Sequence, residues 1–306
     1  MRIEQLIYLI EISKCGSISS AAEQLHISQP GISQAINSLE EEMDTKLFHR
    51  SKKIGTQPTE DGKKAIKIAK EILGKLDELK EVSNVESDQL NGTLSFSVIP
   101  SVCMSVLPKT LAVFKNRFPL VKIELSVKGS LQIERDVLNG KIDIGIISNG
   151  NYEQNNWEHS AKLSFEKLHD FKTFACVGQQ SPLSRNDSVS PEEILNYPIV
   201  ISSSDFKMHH KITALLRKYS EPNILLTTGN TEASKRIIAE GLGIGFYTDL
   251  ELKNDPYVLT GKIIPLQISG EEKSSVFGWI KLKDQYLSKT SREFIKVLKS
   301  TILVDF

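Results

Sequence analysis

The chain has 306 residues, of which 40% are hydrophobic and 25% charged, and its formal net charge at pH 7 is zero. These values are typical of globular proteins, and the length predicts about two domains. No stretch approaches the roughly 18 apolar residues that cross a membrane, and the N-terminus lacks the pattern of a secretory signal. The three scattered cysteines form neither a disulfide framework nor a metal-binding spacing. We therefore expect a cytoplasmic protein with no membrane partner, no metal and no cofactor.

The first thirty residues carry the pattern of short helices. Apolar residues recur at helical spacing near the N-terminus, at Ile3, Leu6, Ile7 and Ile10. The next segment, "SISSAAEQL", predicts a short helix capped by Ser20, with Glu23 completing a capping box and Ser19 as the alternative cap. Ser28 is predicted to cap a third helix, which has Pro30 in its first turn.

The third predicted helix has two different faces. We expect one face to be buried, with Ile32, Ile36, Leu39 and Met43. The opposite face is uncharged and carries Gln29, Pro30, Ser33, Gln34 and Asn37. Because amides and hydroxyls hydrogen-bond to base edges in a major groove, this pattern predicts a DNA-binding helix-turn-helix at about residues 18–37. The alternative is a helical bundle that does not bind DNA.

The segment after the third helix, "TKLFHRSKKIGTQPT", suits a β-hairpin wing. It falls within a basic block, residues 46–70, of a chain that has no net charge. Arg50, Lys52 and Lys53 are predicted to contact backbone phosphates or the minor groove. Such contacts release counterions, so binding should weaken as the salt concentration rises. We assign residues 1–60 to a winged helix-turn-helix domain whose partner is double-stranded DNA.

Several short sequences in this region resemble the DNA-binding region of LysR-type transcriptional regulators. They are "GSISSAAEQLHISQPGIS" (16–33), Leu39-Glu40, "LFHR" (47–50), and Thr59 with Gly62. The family usually has alanine where this chain has Asp61, a departure that we expect to affect the packing of the fourth helix. The resemblance implies a regulator that binds promoter or operator DNA, responds to a small molecule, and contacts RNA polymerase if it activates transcription.

Residues 61–90 are predicted to form a linker helix. Its apolar residues alternate in the manner of a coiled-coil seam, at Ala65, Ala69, Ile72, Leu76 and Leu79. Such a helix is marginal by itself and needs a partner. The alternative is that it packs only on its own chain. The resemblance implies that paired linker helices join two chains, and hence a homodimer or homotetramer.

Residues 91–306 alternate between strand and helix patterns, which predicts an α/β fold with a mainly parallel sheet. We expect lobe I at about 91–164 and 266–306, lobe II at about 165–265, and a ligand cleft between them. Five segments resemble the effector-binding domain of the same family, which looks like a two-lobed periplasmic binding protein: "IPSV" (99–102), "LNGKIDIGII" (138–147), "SPL" (181–183), "YPIV" (197–200) and "EGLGIGFY" (240–247). Thr248 stands where the family often has proline.

The ends of predicted strands and the starts of predicted helices offer N–H groups and hydroxyls to a small anion. On this basis we predict an effector site made by Ser101, Gly129, Ser130, Ser202, Ser203, Thr231 and Phe246. The alternative for each serine is a simple helix cap, and for Phe246 a place in the core. A redox-sensing role for Cys103 is conceivable, but an inert buried thiol is the favoured interpretation.

These patterns favour a sequence-specific DNA-binding transcriptional regulator controlled by a small, anionic metabolite. The alternative is a solute-binding protein or an enzyme that uses the same α/β cleft. The sequence has no nucleophile elbow, P-loop or dinucleotide-binding fingerprint, and a fold shared with solute-binding proteins does not define a function. We therefore predict that the chain is not an enzyme.

Overall fold

The computed structural model describes residues 1–51, 55–83, 90–149, 161–270, 275–283, 285 and 287–305. Within these ranges no helix is both long and apolar enough to cross a membrane. The chain divides into two compact units. The first comprises Met1–Leu90 with Asn139–Lys141 and Lys283–Arg292, and the second comprises the rest of the chain.

Within the described part of residues 1–90, the N-terminal unit has four helices and a two-stranded hairpin. In chain order they are α1 (Ile3–Cys15), α2 (Ile18–Leu25), α3 (Gln29–Glu42), β1 (Phe48–Ser51), β2 (Gly55–Pro58) and α4 (Glu60–Ser83). The strands pair antiparallel, with Phe48 opposite Pro58 and Arg50 opposite Thr56. The apolar faces of the helices meet in one core that includes Leu9, Ile12 and Ile36.

Two local predictions for this unit are wrong. The N-cap of α2 is Ser17, whose hydroxyl accepts a hydrogen bond from the backbone N–H of Ser20, so neither Ser20 nor Ser19 is the cap. The helix starts early because Gly16, at φ 65°, ends α1 in the left-handed conformation. Met43 is 45% exposed instead of buried, because α3 ends at Glu42 and its buried face ends with it.

The second unit alternates strands and helices along most of its length. The strands are β3 (Thr93–Val98), β4 (Lys122–Val127), β5 (Ile144–Asn149), β6 (Leu163–Phe171), β7 (Thr173–Gly178), β8 (Ser188–Val189), β9 (Ile199–Ser202), β10 (Ile224–Thr228), β11 (Gly245–Thr248), β12 (Ile263–Ile268) and β13 (Ser275–Leu282). The helices are α5 (Pro100–Met104), α6 (Leu107–Arg117), α7 (Ser130–Leu138), α8 (Pro191–Ile194), α9 (Lys207–Leu216), α10 (Thr231–Ala239), α11 (Asp249–Leu252), α12 (Pro256–Leu259) and α13 (Lys289–Asp305).

The first sheet has the strand order β4-β3-β5-β13-β6. Strand β3 pairs parallel with β4 and β5, whereas β13 pairs antiparallel with β5 and β6. An aromatic cluster involves strand β3 of this sheet. The ring centroid of Phe294 lies 4.6 Å from that of Phe96, in β3, and 5.7 Å from that of Phe114. As expected from the sequence, the chain returns to this sheet late, through β13.

The second sheet has the order β11-β7-β12-β8. Strands β9 and β10 form a separate two-stranded parallel sheet. Strand β7 pairs antiparallel with both β11 and β12, so the prediction of a mainly parallel sheet is wrong here. Strand β6 stays in the first sheet up to Phe171, and β12 stays in the second up to Ile268. The chain therefore changes sheets at Lys172 and after Ile268, later than the predicted lobe boundaries.

Candidate DNA-binding surface and ligand cleft

Helix α3 presents the predicted base-recognition residues on one side. Gln29, Pro30, Gln34 and Asn37 are exposed and Ser33 is half-buried. The opposite side is held in the core by Ile32, Ile36 and Leu39, all at most 1% exposed. The hydroxyl of Ser28 accepts the N–H of Gly31 at 3.3 Å and caps the helix start. The five residues thus share an outward face, while their contacts with DNA stay a prediction.

The wing touches this outward face through Arg50. One guanidinium nitrogen, Nη2, donates to Oδ1 of Asn37 at 2.6 Å, and Nη1 lies 3.4 Å from the hydroxyl of Ser33. A predicted phosphate ligand and two predicted base-recognition residues therefore form one cluster. Lys52 and Lys53, the other predicted wing contacts, lie outside the described residues.

Glu40 holds the start of the wing, a role that the sequence prediction missed. Its carboxylate is 3% exposed and accepts the backbone N–H groups of Leu47 at 2.8 Å and Phe48 at 3.2 Å, and the ammonium of Lys46 at 2.9 Å. Burial opposes ionisation, but these hydrogen bonds outweigh it and hold the pKa of Glu40 below its usual value. The sequence carried a signal of this role, because Glu40 lies in the last turn of α3, where a carboxylate is unfavourable unless other groups bind it.

The end of the wing is fixed by Thr59 and Gly62. The hydroxyl of Thr59 donates to the carbonyl of Lys46 at 2.7 Å and accepts the N–H of Gly62 at 2.8 Å. A Cβ on Gly62 would lie 2.0 Å from the carbonyl oxygen of Leu47, so only glycine fits. Asp61, by contrast, is exposed and pairs with Lys64 at 2.9 Å. The expectation that it affects packing of the helix is therefore wrong.

Helix α4 packs on its own chain along part of its length and leaves some of its apolar side chains exposed. Ala69 and Ile66 are 1% and 5% exposed and belong to the core of the N-terminal unit, which Ala65 and Ile72 also contact. Leu79, the last predicted seam residue, is 66% exposed, and Ile68 is 54% exposed. The chain itself thus covers the seam from Ala65 to Ile72, whereas Leu79 and the neighbouring Ile68, which is outside the predicted seam, are left in solvent. Pairing of α4 with a second chain stays a prediction.

A cleft of about 910 Å³ lies in the second unit. It is lined by residues at the carboxyl ends of β3, β5, β9 and β10 and at the starts of α7 and α10, which is where open α/β sheets bind ligands. Five of the predicted effector residues line it: Ser101, Ser130, Ser202, Thr231 and Phe246. That these five residues bind an effector remains a prediction.

Gly129 and Ser203, the other two predicted effector residues, do not line the cleft. A Cβ on Gly129 would lie 2.3 Å from the carbonyl oxygen of Asp205, so the glycine allows two backbone segments to approach closely. The backbone of Ser203 is used locally, because its N–H donates to Thr228 and its carbonyl accepts from Phe206. Neither residue is among those that line the cavity, and their predicted contact with an effector stays a prediction.

The cleft wall contains both hydroxyls and charged groups. Ser130 is 1% exposed, and its Oγ lies 3.1 Å from that of Ser148. The Oγ of Ser202 is buried and has no hydrogen-bond partner among the described residues. Three lysines line the wall among the described residues: Lys207 lies 2.6 Å from Glu134, Lys211 lies 3.0 Å from the hydroxyls of Thr173 and Ser275, and Lys218 is the third. The wall thus carries donors suited to an anion, one of them unused.

A buried polar network that the sequence did not predict lies behind the cleft. Lys235 is fully buried, is ion-paired with Asp255, and lies 5.5 Å from the ring centroid of Tyr247. The Tyr247 hydroxyl lies 2.6 Å from that of Ser234. Burial raises the pKa of the nearby Glu251 carboxyl, while hydrogen bonds from Thr248 act against this. The network joins α10 and β11, whose residues form part of the cleft, to Asp255 at the start of α12.

Two cysteines and two adjacent histidines lie in the described part of the second unit. Cys103 is half-buried and Cys176 fully buried, and burial raises the pKa of both thiols. A thiol with a raised pKa is a poor nucleophile, which supports the inert interpretation. His209 and His210 hydrogen-bond to the backbone carbonyls of Ser202 and Ser204.

An outward helix with a basic wing and a ligand-sized cleft define a DNA-binding regulator that carries a ligand-binding domain. Sequence comparison agrees. The chain matches the bacterial regulatory helix-turn-helix protein, lysR family, over residues 3–63. It matches the LysR substrate binding domain over residues 87–302. The chain belongs to the LysR family of transcriptional regulators. It is accordingly a transcription regulator with an effector-binding domain, and not an enzyme.

Individual relatives are distant but cover the whole chain. An uncharacterised HTH-type transcriptional regulator, YoaU of Bacillus subtilis (strain 168), is 27% identical over an alignment of 310 residues that covers 99% of this chain and 99% of YoaU. A full-length OxyR variant from Pseudomonas aeruginosa superposes with a TM-score of 0.77 at 18% identity, covering 99% of this chain and 94% of OxyR. The structure of CbnR complexed with its target DNA superposes with a TM-score of 0.53 at 18% identity, covering 99% of this chain and 100% of CbnR. At these identities the two structures establish a shared fold.

Proposed function

We propose that this regulator recognises a specific operator sequence by inserting α3 into the major groove. The observation that carries the proposal is the outer face of α3, which is uncharged over Gln29, Pro30, Ser33, Gln34 and Asn37 and exposed or half-buried throughout. Short amides and hydroxyls discriminate base edges, whereas carboxylates would repel the phosphates on either side of the groove. The wing, with Arg50 and the predicted Lys52 and Lys53, contacts the DNA backbone.

The effector in this proposal is a small organic anion. The cleft of about 910 Å³ is large enough for a metabolite. Its donors include the unused hydroxyl of Ser202, the paired Ser130 and Ser148, and the ammonium groups of Lys207 and Lys211. Carboxylates of Glu134 and Glu251 also line the cleft, so the ligand carries hydroxyl or amino groups beside its anionic group.

The working form in this proposal is a homodimer or homotetramer in the cytoplasm. A palindromic operator needs two recognition helices related by symmetry, about one helical turn of DNA or a multiple apart. Leu79 and Ile68, exposed on α4, are the apolar side chains that a second α4 would cover. Contact with RNA polymerase is part of the proposal only if the regulator activates transcription.

The test is selection of genomic fragments by the purified full-length protein at physiological salt. We expect enrichment of a roughly palindromic site, and its loss in the variant Gln29→Ala/Asn37→Ala, in which two exposed side chains are truncated. The selection is repeated with small carboxylates, sulfate and phosphate, because an effector can be required for binding. Failure to enrich any site under all of these conditions would refute sequence-specific recognition. The same anions, tested by thermal denaturation, should include one that raises the melting temperature.

A further inference from the structure

The contact between Arg50 and Asn37 constrains which bases α3 can recognise. A guanidinium has only donors, and a side-chain amide has a carbonyl acceptor at one end and an NH₂ donor at the other. Because Nη2 of Arg50 lies 2.6 Å from the Asn37 amide, the atom that faces it must be the carbonyl Oδ1. The opposite orientation would place donor against donor. The Asn37 NH₂ group is therefore turned away from Arg50, on the exposed side of the helix.

We infer that Arg50 is a positioning residue that makes Asn37 a hydrogen-bond donor to DNA, so that the base opposite Asn37 is guanine. Guanine presents two acceptors, N7 and O6, on its major-groove edge, which match the two N–H groups of the amide. Adenine is normally recognised by an amide that donates to N7 and accepts from N6, and the second of these would have to share the Asn37 oxygen with Arg50, which disfavours adenine. Thymine presents the single acceptor O4 and so matches only one of the two N–H groups. Cytosine presents only a donor and is excluded most strongly.

Ser33 supports the same polarity. Its hydroxyl oxygen lies 3.4 Å from Nη1 of Arg50, a donor, so the oxygen faces Arg50 as an acceptor and its hydrogen points elsewhere. The two side chains lie four residues apart on α3 and so on the same face of the helix. Arg50 therefore turns donors outward from both residues.

The position of Arg50 is itself well fixed. Two residues earlier, the backbone N–H of Phe48 donates to the buried carboxylate of Glu40, and the Phe48 side chain is 5% exposed in the core. Side chains two apart on a strand point to the same side, so Arg50 is directed towards α3 as Phe48 is. The ladder pairing of Arg50 with Thr56 holds the strand at this register. The wing therefore delivers the guanidinium to α3 before any DNA is bound.

This inference rests on the proposed recognition of a specific operator, and the test separates the two. Base preferences are measured by selection from a randomised operator library for the wild type, Asn37→Ala, Asn37→Asp and Arg50→Met. Arg217→Met, which removes an exposed arginine bound to Glu221 in the second unit, is the matched control. Asn37→Ala identifies the operator position opposite Asn37, because the preference is lost there and nowhere else.

At that position we expect the wild type to prefer guanine and Arg50→Met to accept adenine as well. The guanine-to-adenine ratio should fall roughly tenfold, in line with the discrimination that one bidentate contact provides. Asn37→Asp, which has acceptors only, should lose the guanine preference. The Arg217→Met control should keep every preference.

Three results would overturn the inference. A cytosine or adenine preference in the wild type at the position opposite Asn37 would contradict the donor polarity. An unchanged preference in Arg50→Met, with weaker binding to all sequences, would make Arg50 a phosphate contact only. If the wild type enriches no sequence at all, operator recognition itself fails, and the inference fails with it.

Discussion

The carboxylate of Glu40, near the end of the recognition helix, lies 2.8 Å from the backbone nitrogen of Leu47, at the start of the wing. The contact crosses seven residues and is buried. It connects α3, which we propose faces the bases, to the wing, which we propose faces the phosphates. The geometry of the DNA-binding surface therefore depends on a side chain that does not itself face DNA.

Replacing this carboxylate should destabilise the protein. In Glu40→Ala the buried N–H groups of Leu47 and Phe48 lose their acceptor, and each unsatisfied buried donor costs about 1–3 kcal/mol. Glu40→Gln keeps one oxygen as an acceptor and should lose less. The free energy of unfolding is measured by urea denaturation. Glu41→Ala, at the adjacent exposed position, should change it by no more than about 0.5 kcal/mol. Equal effects of Glu40→Ala and Glu41→Ala would contradict the role assigned to Glu40.

The same carboxylate should contribute to the pH dependence of stability. Its pKa in the folded protein is lower than that of an unfolded glutamate, about 4.3. The ionised group therefore stabilises the fold above about pH 4.3, and this contribution is lost as the pH falls through the lower, folded-state pKa. Urea denaturation between about pH 7 and pH 3 should show a shallower acid loss in Glu40→Gln than in the wild type. Parallel curves would show that Glu40 binds its proton equally in both states.

Ser33 and Gln29 should affect the operator more than other DNA. We expect Ser33→Ala or Gln29→Ala to weaken operator binding by about 1–3 kcal/mol and to leave binding to non-specific duplexes unchanged, because each variant removes a base contact but no charge. Affinities are measured by fluorescence anisotropy at one fixed salt concentration. Arg236→Ala, which removes an exposed charge in the second unit, serves as the control. Equal losses on both DNAs would refute a base-recognition role for the variant residue.

The first ninety residues were largely predictable because their information is local. The spacing of Ile32, Ile36 and Leu39 alone defines the buried side of α3, and the polar residues between them define the other side. The errors fall where a boundary decides: Ser17 is the cap of α2 because Gly16 ends the preceding helix, and Met43 is exposed because α3 ends before it. Such boundaries are set by the residues that end a helix, and the apolar periodicity does not contain them.

The second unit was less predictable because its architecture depends on pairings between distant residues. The alternation of strands and helices was visible, but the antiparallel pairing of β7 with β11 and β12 was not. The strand pattern of β6 was obscured because it is an edge strand with charged, exposed side chains. The strand pattern of β12 was obscured because it contains Pro265. The ion pair between Lys235 and Asp255 spans 20 residues, and no local pattern indicates it.

This ion pair should be essential for the stability of the second unit. In Lys235→Met the buried Asp255 keeps its charge without a partner, which costs about 3–5 kcal/mol. The double variant Lys235→Met/Asp255→Asn should recover part of the loss, because asparagine is neutral and still caps α12 as Asp255 does. Chemical denaturation of the full-length protein provides the free energies. A double variant that is as unstable as the sum of the single variants would show that the two residues do not interact.

The unpartnered hydroxyl of Ser202 should be used when the effector binds. A buried polar group without a partner is costly, and its cost is relieved if a ligand accepts or donates a hydrogen bond there. Ser202→Ala should therefore weaken binding of the effector by about 0.5–1.5 kcal/mol, up to roughly tenfold in affinity, without lowering stability in its absence. The measurement is calorimetric titration with the anion that most raises the melting temperature. Ser188→Ala, at an exposed position that does not line the cleft, should bind that anion like the wild type. If Ser202→Ala binds the anion as tightly as Ser188→Ala does, the anion does not use the Ser202 hydroxyl.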